Sequence, residues 1–162
     1  MIRKVTLEDA GEISEIYNHY ILNSIATFET IAIGVEEMQN RIRLVQQNFP
    51  WLVFESDGEI LGYAYATEWR ARRAYKRTVE STVYLRHDAF NKGIGTKLYK
   101  ALLKELNKMK VHAVIGGISL PNDASMALHE KFKFEKVAHF KEVGFKFNKW
   151  IDVGYWELLF KD

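Results

Sequence analysis

A carboxylate and a glycine turn lie near the middle of the chain, within residues 78–95. The carboxylate is Glu80, inside a segment (78–85) whose alternating apolar residues and β-branched side chains favour a strand. After the strand, Lys92-Gly93-Ile94-Gly95 precedes an amphipathic run. Glycines let backbone N–H groups approach an anion closely, and a helix start adds its dipole. The segment therefore predicts a base on a strand, followed by a pyrophosphate-binding turn.

The glycine turn does not fit two better-known nucleotide motifs. A dinucleotide fingerprint needs GxGxxG, and its third glycine position is Leu98. A Walker loop needs GxxxxGK followed by Ser or Thr, which this stretch lacks. The turn is therefore interpreted as a short group of backbone N–H donors, of a size that suits a pyrophosphate. The alternative is a turn with only a structural role.

A second group of polar residues follows the next predicted strand. Asn122 and Ser125 supply an amide and a hydroxyl at a predicted helix start, and His129 follows one helical turn later on the same face. Each residue also has a simpler interpretation. Asn122 and Ser125 fit helix capping, His129 fits a solvated helix position, and Glu80 fits the solvent side of a strand. Their occurrence together is what points to a site.

The composition limits the classes of protein that need to be considered. Of the 162 residues, 48% are hydrophobic and 27% are charged, which is typical of a globular protein. With 23 basic and 21 acidic residues, the net charge of +2 is too balanced to predict a nucleic-acid binder. The absence of cysteine excludes disulfides and thiolate catalysis. Without a signal-peptide pattern or a long apolar run, we expect a cytoplasmic protein that does not bind membranes.

Hydrophobic periodicity predicts one mixed α/β domain spanning residues 1–162. A first helix is expected after Thr6, with Asp9 completing a capping box. Ser56-Asp57-Gly58 is a typical hairpin turn. The helix at 95–109 is expected to bury Leu98, Leu102, Leu106 and Met109. The predicted strands are 2–5, 51–55, 59–67, 78–85, 111–119, 134–140 and 150–160, and the later helices are 35–47, 95–109 and 124–132.

Taken together, the Glu80 strand, the KGIG turn and the pattern Asn122-xx-Ser125-xx-Leu128-His129 resemble the GNAT acetyltransferase superfamily. The likeness is sharper with its branch of phosphinothricin and methionine sulfoximine/sulfone N-acetyltransferases. It implies an α/β (α+β) GNAT acyl-CoA N-acyltransferase fold, with a mixed, mostly antiparallel twisted sheet flanked by about four helices. The supporting stretches are IYNHYI (16–21), TFE (27–29), PWLVFE (50–55), GYAYA (62–66), RARRAY (70–75), TVESTVY (78–84), ISLPN (118–122), LHEK (128–131), VGFKF (143–147) and WIDVGYWEL (150–158).

The resemblance implies acetyl-CoA as cosubstrate, bound in a gap between two strands, and no metal. Asn122 and Ser125 would contact the pantetheine or adenylate side. Two residues depart from the family pattern: Phe90 replaces an Arg or Gln that contacts phosphate, and Lys133 replaces the glycine of the last helix-to-strand turn. The implied coenzyme contacts are Val83, Tyr84 and Leu85 for the pantetheine, and Lys92, Gly93, Ile94, Gly95, Thr96 and Lys97 for the pyrophosphate.

Acetyl transfer to an amine sets chemical requirements that these residues can meet. An ammonium group must lose a proton before its nitrogen attacks a thioester, and Glu80 is the candidate base. The backbone N–H near Leu85 is the candidate donor to the oxyanion. His129 stands where many relatives place a tyrosine, and its imidazole is the candidate proton donor to the departing thiolate, ahead of Tyr84 and Tyr99. Since the chain has no cysteine, direct transfer is favoured.

Acceptor recognition is assigned to an arginine-rich loop at residues 68–77. The loop fits a solvated surface, but guanidinium forks also bind carboxylate and phosphinate groups. The resemblance implies that the acceptor pocket is lined by Phe28, Arg70, Arg72, Tyr75, Thr82 and Tyr84. The aromatic C-terminal stretch at 145–156 fits core and edge-strand packing, and in relatives it builds a dimer, so we expect a homodimer.

Three functions follow from this interpretation. The first is an N-acetyltransferase acting on a small amino acid with a second anionic or strongly polar group, such as phosphinothricin or methionine sulfoximine or sulfone. The second keeps the enzyme class but makes a protein N-terminus or a lysine the acceptor, which the arginine-rich loop disfavours. The third is an acetyl-CoA-binding module without catalysis, which the presence of Glu80 and His129 disfavours.

Overall fold

A computed structural model describes residues 1–161, and its main feature is one seven-stranded sheet in the order β1-β2-β3-β4-β5-β7-β6. The strands are β1 (Ile2–Lys4), β2 (Trp51–Ser56), β3 (Glu59–Glu68), β4 (Thr78–Leu85), β5 (Ala113–Leu120), β6 (Glu135–Lys146) and β7 (Lys149–Leu159). The helices are α1 (Ala10–Asn23), α2 (Val35–Gln46), α3 (Ile94–Lys108) and α4 (Asp123–Lys131), with short 3-10 turns at Leu7–Asp9 and Arg73–Tyr75. This is the predicted mixed, mostly antiparallel fold.

The pairing of β4 with β5 differs from that of every other neighbouring pair in the described sheet. These two strands run parallel, whereas the other neighbours run antiparallel. Their ladder ends at Glu80 opposite Ile115, although both strands continue beyond it. The edge of β4 from residue 81 to residue 85 therefore has no strand partner on the β5 side. A cleft opens in the sheet at that point.

The two faces of the sheet are covered by different helices. Successive residues of a strand point to opposite faces, and the fully buried Val53 and its neighbour Leu52 belong to separate apolar clusters. Leu52 lies in the cluster that α3 covers through Leu98, whereas Val53 lies in the cluster that α1 covers through Ile13. The cleft between β4 and β5 is thus held between two packed layers.

Most predicted elements are confirmed, and the differences lie at their ends. The expected burial of Met109 is wrong: α3 ends at Lys108, and Met109 is the C-cap residue, with 47% of its surface exposed. Strand β6 continues to Lys146, well beyond the predicted end at residue 140, and forms a long hairpin with β7. Among residues 1–161, no helix combines the length and the apolar character needed to span a membrane.

Lys133 forms the tight turn between α4 and β6, at the position where the resemblance implies glycine. Its φ of +68° lies in the left-handed region, where a side chain costs about 1–2 kcal/mol. The turn is nevertheless closed by two backbone hydrogen bonds: the Lys133 N–H donates to the Glu130 carbonyl at 3.0 Å, and the Phe134 N–H donates to the His129 carbonyl at 3.1 Å. The substitution therefore leaves the turn geometry intact.

Candidate active site

A cavity of about 930 Å³ fills the cleft where β4 and β5 separate. It is bounded by both strands, the starts of α3 and α4, the segment after α1, and the β6–β7 hairpin. Predicted site residues that line it are Phe28, Glu80, Thr82, Val83, Tyr84, Leu85, Gly95, Asn122, Ser125 and His129. The remaining predicted residues, Arg70, Arg72, Tyr75, Lys92, Gly93, Ile94, Thr96 and Lys97, lie outside its lining.

Glu80 lies at the base of the cleft. It is the last residue of β4 that pairs with β5, so its side chain stands where the two strands begin to diverge. The carboxylate is half-buried, and burial raises its pKa, with no basic side chain of residues 1–161 in a salt bridge to it. A solvent-facing position for Glu80 is therefore wrong. An unpaired carboxylate with a raised pKa in a cavity is suited to accept a proton.

Tyr155 of β7 is a neighbour of Glu80 that sequence reasoning missed. Gly117 on β5 separates the two: a Cβ added there would lie 3.1 Å from the Tyr155 ring and 3.5 Å from Glu80 Oε1. Burial and the nearby Glu80 charge both raise the pKa of Tyr155. In the sequence, Tyr155 is one aromatic among many in the C-terminal stretch, and nothing there separates a cavity-lining ring from a core ring.

The arginine-rich loop forms a separate, smaller cavity of about 400 Å³, lined by Arg70, Arg72 and Tyr75 together with Ala71. A chain of stacked groups links it to the first cavity. The Arg70 guanidinium lies 5.2 Å from the Trp69 ring centre, and Trp69 packs edge-on against Tyr155 at 5.6 Å. The loop therefore approaches the Glu80 cavity without lining it.

His129 is buried, with 4% of its surface exposed, so the solvated-helix interpretation is wrong. Its Nδ1 lies 2.7 Å from the Ser125 carbonyl, which can only accept, so Nδ1 carries a hydrogen. Its Nε2 lies 3.1 Å from the hydroxyl of the fully buried Tyr99, which also hydrogen-bonds to Ser81. Burial lowers the pKa of His129 and favours the neutral ring, whose Nε2 accepts from Tyr99. We refer to these three residues as the Ser81–Tyr99–His129 chain.

The start of α3 presents a backbone suited to an anion. Gly93 is the N-cap, and its φ of +72° is a conformation that glycine adopts without strain. The first helical hydrogen bond runs from the Lys97 N–H to the Gly93 carbonyl at 3.1 Å, which leaves the preceding N–H groups of the first turn free of helical partners. Lys92 and Lys97 add exposed positive charge. Phe90, 45% exposed, borders the cavity nearby.

Asn122 caps the start of α4, which is the simpler of the two roles that the sequence predicts for it. Its side-chain oxygen accepts from the Ser125 N–H at 3.1 Å at the start of α4. Both residues nevertheless line the cavity, so capping and ligand contact do not exclude each other here.

Residues 24–28, which we call the 24–28 loop, also line the cavity. The Tyr84 hydroxyl donates to the Ala26 carbonyl at 3.2 Å, and the Tyr17 hydroxyl hydrogen-bonds to Thr27 Oγ1 at 2.9 Å. Beyond the loop, Glu29 accepts two hydrogen bonds from the Arg41 guanidinium, at 2.7 and 2.8 Å. The 24–28 loop is thus held at several points along its length.

Known proteins resemble this chain over nearly its whole length. The family described as "Acetyltransferase (GNAT) domain" matches residues 2–154. The phosphinothricin N-acetyltransferase of Streptomyces viridochromogenes is 39% identical over 96% of this chain and 85% of its own. The L-methionine sulfoximine/L-methionine sulfone acetyltransferase of Salmonella typhimurium is 32% identical over 97% of this chain and 92% of its own. The crystal structure of a phosphinothricin acetyltransferase from Sinorhizobium meliloti in complex with AcCoA superposes with a TM-score of 0.95. The match has 32% sequence identity and covers 98% of this chain and 87% of the other.

The chain belongs to the GNAT acetyltransferase family. Membership confirms the predicted fold and the enzyme class, an acetyl-CoA-dependent N-acetyltransferase. The unpaired edge of β4 and the start of α3 both lie beside the cavity. In residues 1–161, no cluster of three or more His, Asp or Glu side chains is arranged to hold a metal ion.

Proposed function

We propose that this GNAT protein transfers the acetyl group of acetyl-CoA to the amino group of a small amino-acid-like acceptor, such as phosphinothricin or methionine sulfoximine or sulfone. The observation that carries the proposal is the Glu80 carboxylate, half-buried and without a salt-bridge partner among residues 1–161, in the cleft between β4 and β5. The named activities of the relatives suggest the class of acceptor.

For the coenzyme, we assign the residues whose backbone or side chains fit a long, anionic ligand. The β4 edge at Val83, Tyr84 and Leu85 would pair with the amides of pantetheine, because that edge lacks a strand partner on the β5 side. Asn122 and Ser125 border the same cavity. When bound, acetyl-CoA supplies an activated thioester carbonyl. The pyrophosphate would lie at the start of α3, on Lys92, Gly93, Ile94, Gly95, Thr96 and Lys97.

Glu80 accepts the proton that the acceptor ammonium must lose, directly or through water, and the Leu85 N–H donates to the carbonyl oxygen as negative charge develops on it. His129 borders the thiolate side of the proposed site and remains the candidate proton donor there. To donate a proton to the thiolate, Nε2 must carry a hydrogen, whereas in the neutral ring Nε2 accepts a hydrogen bond from Tyr99. Since burial lowers the pKa of His129, we expect it to contribute less than Glu80 does.

Acceptor recognition is assigned to two sets of residues. Phe28, Thr82 and Tyr84 line the main cavity, where Phe28 would contact the aliphatic part of the acceptor. Arg70, Arg72 and Tyr75 form the smaller cavity, whose guanidinium groups suit a carboxylate, phosphinate or sulfone oxygen. Arg70 is linked to the main cavity through Trp69 and Tyr155.

A homodimer is part of the proposal. The end of the β6–β7 hairpin carries large apolar side chains that are at least half exposed in the isolated chain, and such side chains are costly to leave in water. Sedimentation velocity at several protein concentrations tests this, and a single monomeric species would contradict it. The exposed side chains at the end of the hairpin are Val143, Phe145, Phe147 and Trp150.

A single domain over residues 1–162 and a cytoplasmic location stay predictions.

The experiment that tests the function is release of coenzyme A thiol from acetyl-CoA with a panel of acceptors. The panel contains phosphinothricin, methionine sulfoximine, methionine sulfone, ordinary amino acids and a lysine-bearing peptide. We expect turnover with the first three and little with the peptide. Turnover with the peptide alone would replace the small-molecule function by protein acetylation.

A further inference from the structure

Lys146, the last residue of β6, is a buried cation that the proposed chemistry does not use. Only 4% of its surface is exposed, and no carboxylate of residues 1–161 forms a salt bridge with it. A buried ammonium group is unfavourable unless hydrogen bonds satisfy it, and burial lowers the pKa of Lys146. The hydrogen bonds that Lys146 makes must therefore offset the cost of burying its ammonium group.

The Lys146 ammonium donates hydrogen bonds to three backbone carbonyls. They belong to Ser24 at 2.7 Å, Thr27 at 2.8 Å and Tyr20 at 3.4 Å. Tyr20 lies in the last turn of α1, and its carbonyl also accepts from the Ser24 N–H at 3.0 Å. Ser24 is the C-cap of α1, where the helix dipole favours a cation. Thr27 lies in the 24–28 loop. A single side chain thus joins the end of α1 to both ends of a loop that lines the cavity.

A second contact joins the same hairpin to the same loop. Gly144 lies against the ring of Phe28, so closely that an added Cβ would lie 2.3 Å from its ring carbon Cζ. Lys146 and Gly144 are two residues apart in β6 and therefore point to the same face of the strand. The β6–β7 hairpin consequently holds the 24–28 loop through a charged contact and an apolar one.

We propose that Lys146 is a positioning residue for the acceptor: its ammonium fixes the loop at residues 24–28, so that Phe28 and the loop backbone hold the shape of the acceptor end of the cavity. The coenzyme end depends on the β4 edge and the start of α3, which Lys146 does not contact. Loss of the ammonium should therefore affect the acceptor and spare acetyl-CoA. The kinetic part of this inference rests on the proposed function.

The test compares Lys146→Met with the wild type and with Lys149→Met. Lys149 pairs with Lys146 across the hairpin turn but is exposed, so its variant controls for loss of a charge. In Lys146→Met, the part-buried Ser24 and Thr27 carbonyls lose the Lys146 donor and the Tyr20 carbonyl keeps only the Ser24 N–H, so we expect the KM for phosphinothricin to rise about tenfold. The KM for acetyl-CoA should change less than about twofold, and backbone amides at residues 24–28 should exchange hydrogen faster. Lys149→Met should match the wild type in all three measurements.

Hydrogen exchange needs no acceptor, so it separates this inference from the proposed function. Unchanged exchange at residues 24–28 in Lys146→Met would overturn the inference, whatever the kinetics. Faster exchange with an unchanged phosphinothricin KM would remove the role in acceptor positioning. If the wild type acetylates no small acceptor, the proposed function fails, and exchange alone still decides whether Lys146 holds the loop.

A second variant reaches the same loop without removing a charge. Gly144→Ala would displace the Phe28 ring, which is 39% exposed, because the added Cβ would lie 2.3 Å from its Cζ. If Lys146→Met does not fold, Gly144→Ala should still raise the phosphinothricin KM and leave the acetyl-CoA KM unchanged. Equal effects on both substrates would contradict a role confined to the acceptor end.

Discussion

Glu80 and His129 border the same cavity on different elements, and their surroundings differ sharply. Glu80, on β4, is half-buried and has no salt-bridge partner among residues 1–161, and burial raises its pKa. His129, on α4, is 4% exposed and has both ring nitrogens in hydrogen bonds, and burial lowers its pKa. The same physical effect, removal of water, disfavours the charged form of each group. It makes Glu80 a stronger base, whereas it leaves little of His129 in the protonated form that could act as an acid.

The difference shows that two titratable groups lining the same cavity can differ in how readily they transfer a proton. The Glu80 carboxylate can accept a proton without breaking an existing contact with a charged group. His129 must give up the hydrogen bond from Tyr99 before its Nε2 can carry a proton to a thiolate. The comparison therefore assigns the larger catalytic contribution to Glu80.

The largest expected effect is that of Glu80→Gln. The amide keeps the size of the side chain but cannot accept the ammonium proton, so kcat should fall about 10²–10⁴-fold, the usual contribution of a positioned base. Steady-state coenzyme A release with phosphinothricin measures it. Glu135→Gln, at an exposed position of β6, is the matched control and should keep wild-type activity. An equal loss in both variants would show that the effect is not specific to the cavity.

A smaller effect is expected from the Ser81–Tyr99–His129 chain. His129→Gln should lower kcat about tenfold or less, because the neutral ring is a poor proton source. Tyr99→Phe leaves the buried Ser81 hydroxyl and His129 without their shared partner, and should cost about 1–3 kcal/mol of unfolding free energy. Urea unfolding and steady-state kinetics separate these two effects. A loss with His129→Gln as large as that with Glu80→Gln would reverse the comparison.

Two adjacent glycines of β5 sharpen the comparison further. A Cβ at Gly116 would lie 2.4 Å from His129 Nε2, whereas a Cβ at Gly117 would lie 3.1 Å from the Tyr155 ring. Because His129 is buried and held at both nitrogens, Gly116→Ala should lower the unfolding free energy by about 1–3 kcal/mol. Gly117→Ala should cost less stability and change kcat by a few-fold at most. Thermal unfolding of the two variants provides the measurement, and equal stability would contradict the rigid placement of His129.

Much of the fold could be predicted because local patterns and tertiary contacts agree. The alternation in β4, the glycines before α3 and the Asp57-Gly58 turn each indicated an element that the structure contains. The end of β6 was missed, because a long hairpin with exposed aromatic residues has no clear alternation to mark its limit. Met109 was misplaced because helical periodicity does not show where a helix stops.

The candidate site could be predicted only in part, since sequence spacing shows residue types but not their partners. Glu80 and His129 were found, but the contact of His129 with Tyr99 joins residues far apart in the sequence. Tyr155 and Lys146 were missed as site residues for the same reason. Arg70, Arg72 and Tyr75 were predicted for the acceptor pocket, and the structure places them in a neighbouring cavity. Such placements depend on how loops pack, which periodicity does not encode.

The most direct test of the account is the pH dependence of kcat/KM for phosphinothricin, measured for the wild type and Glu80→Gln. Only the ionised carboxylate accepts a proton, so wild-type activity should be full above the Glu80 pKa and fall about tenfold per pH unit below it. That acidic limb should lie above the ordinary glutamate range, because burial raises the Glu80 pKa. The account predicts that Glu80→Gln lacks the limb and has a plateau about 10²–10⁴-fold lower. The same limb in both proteins would show that another group is the base.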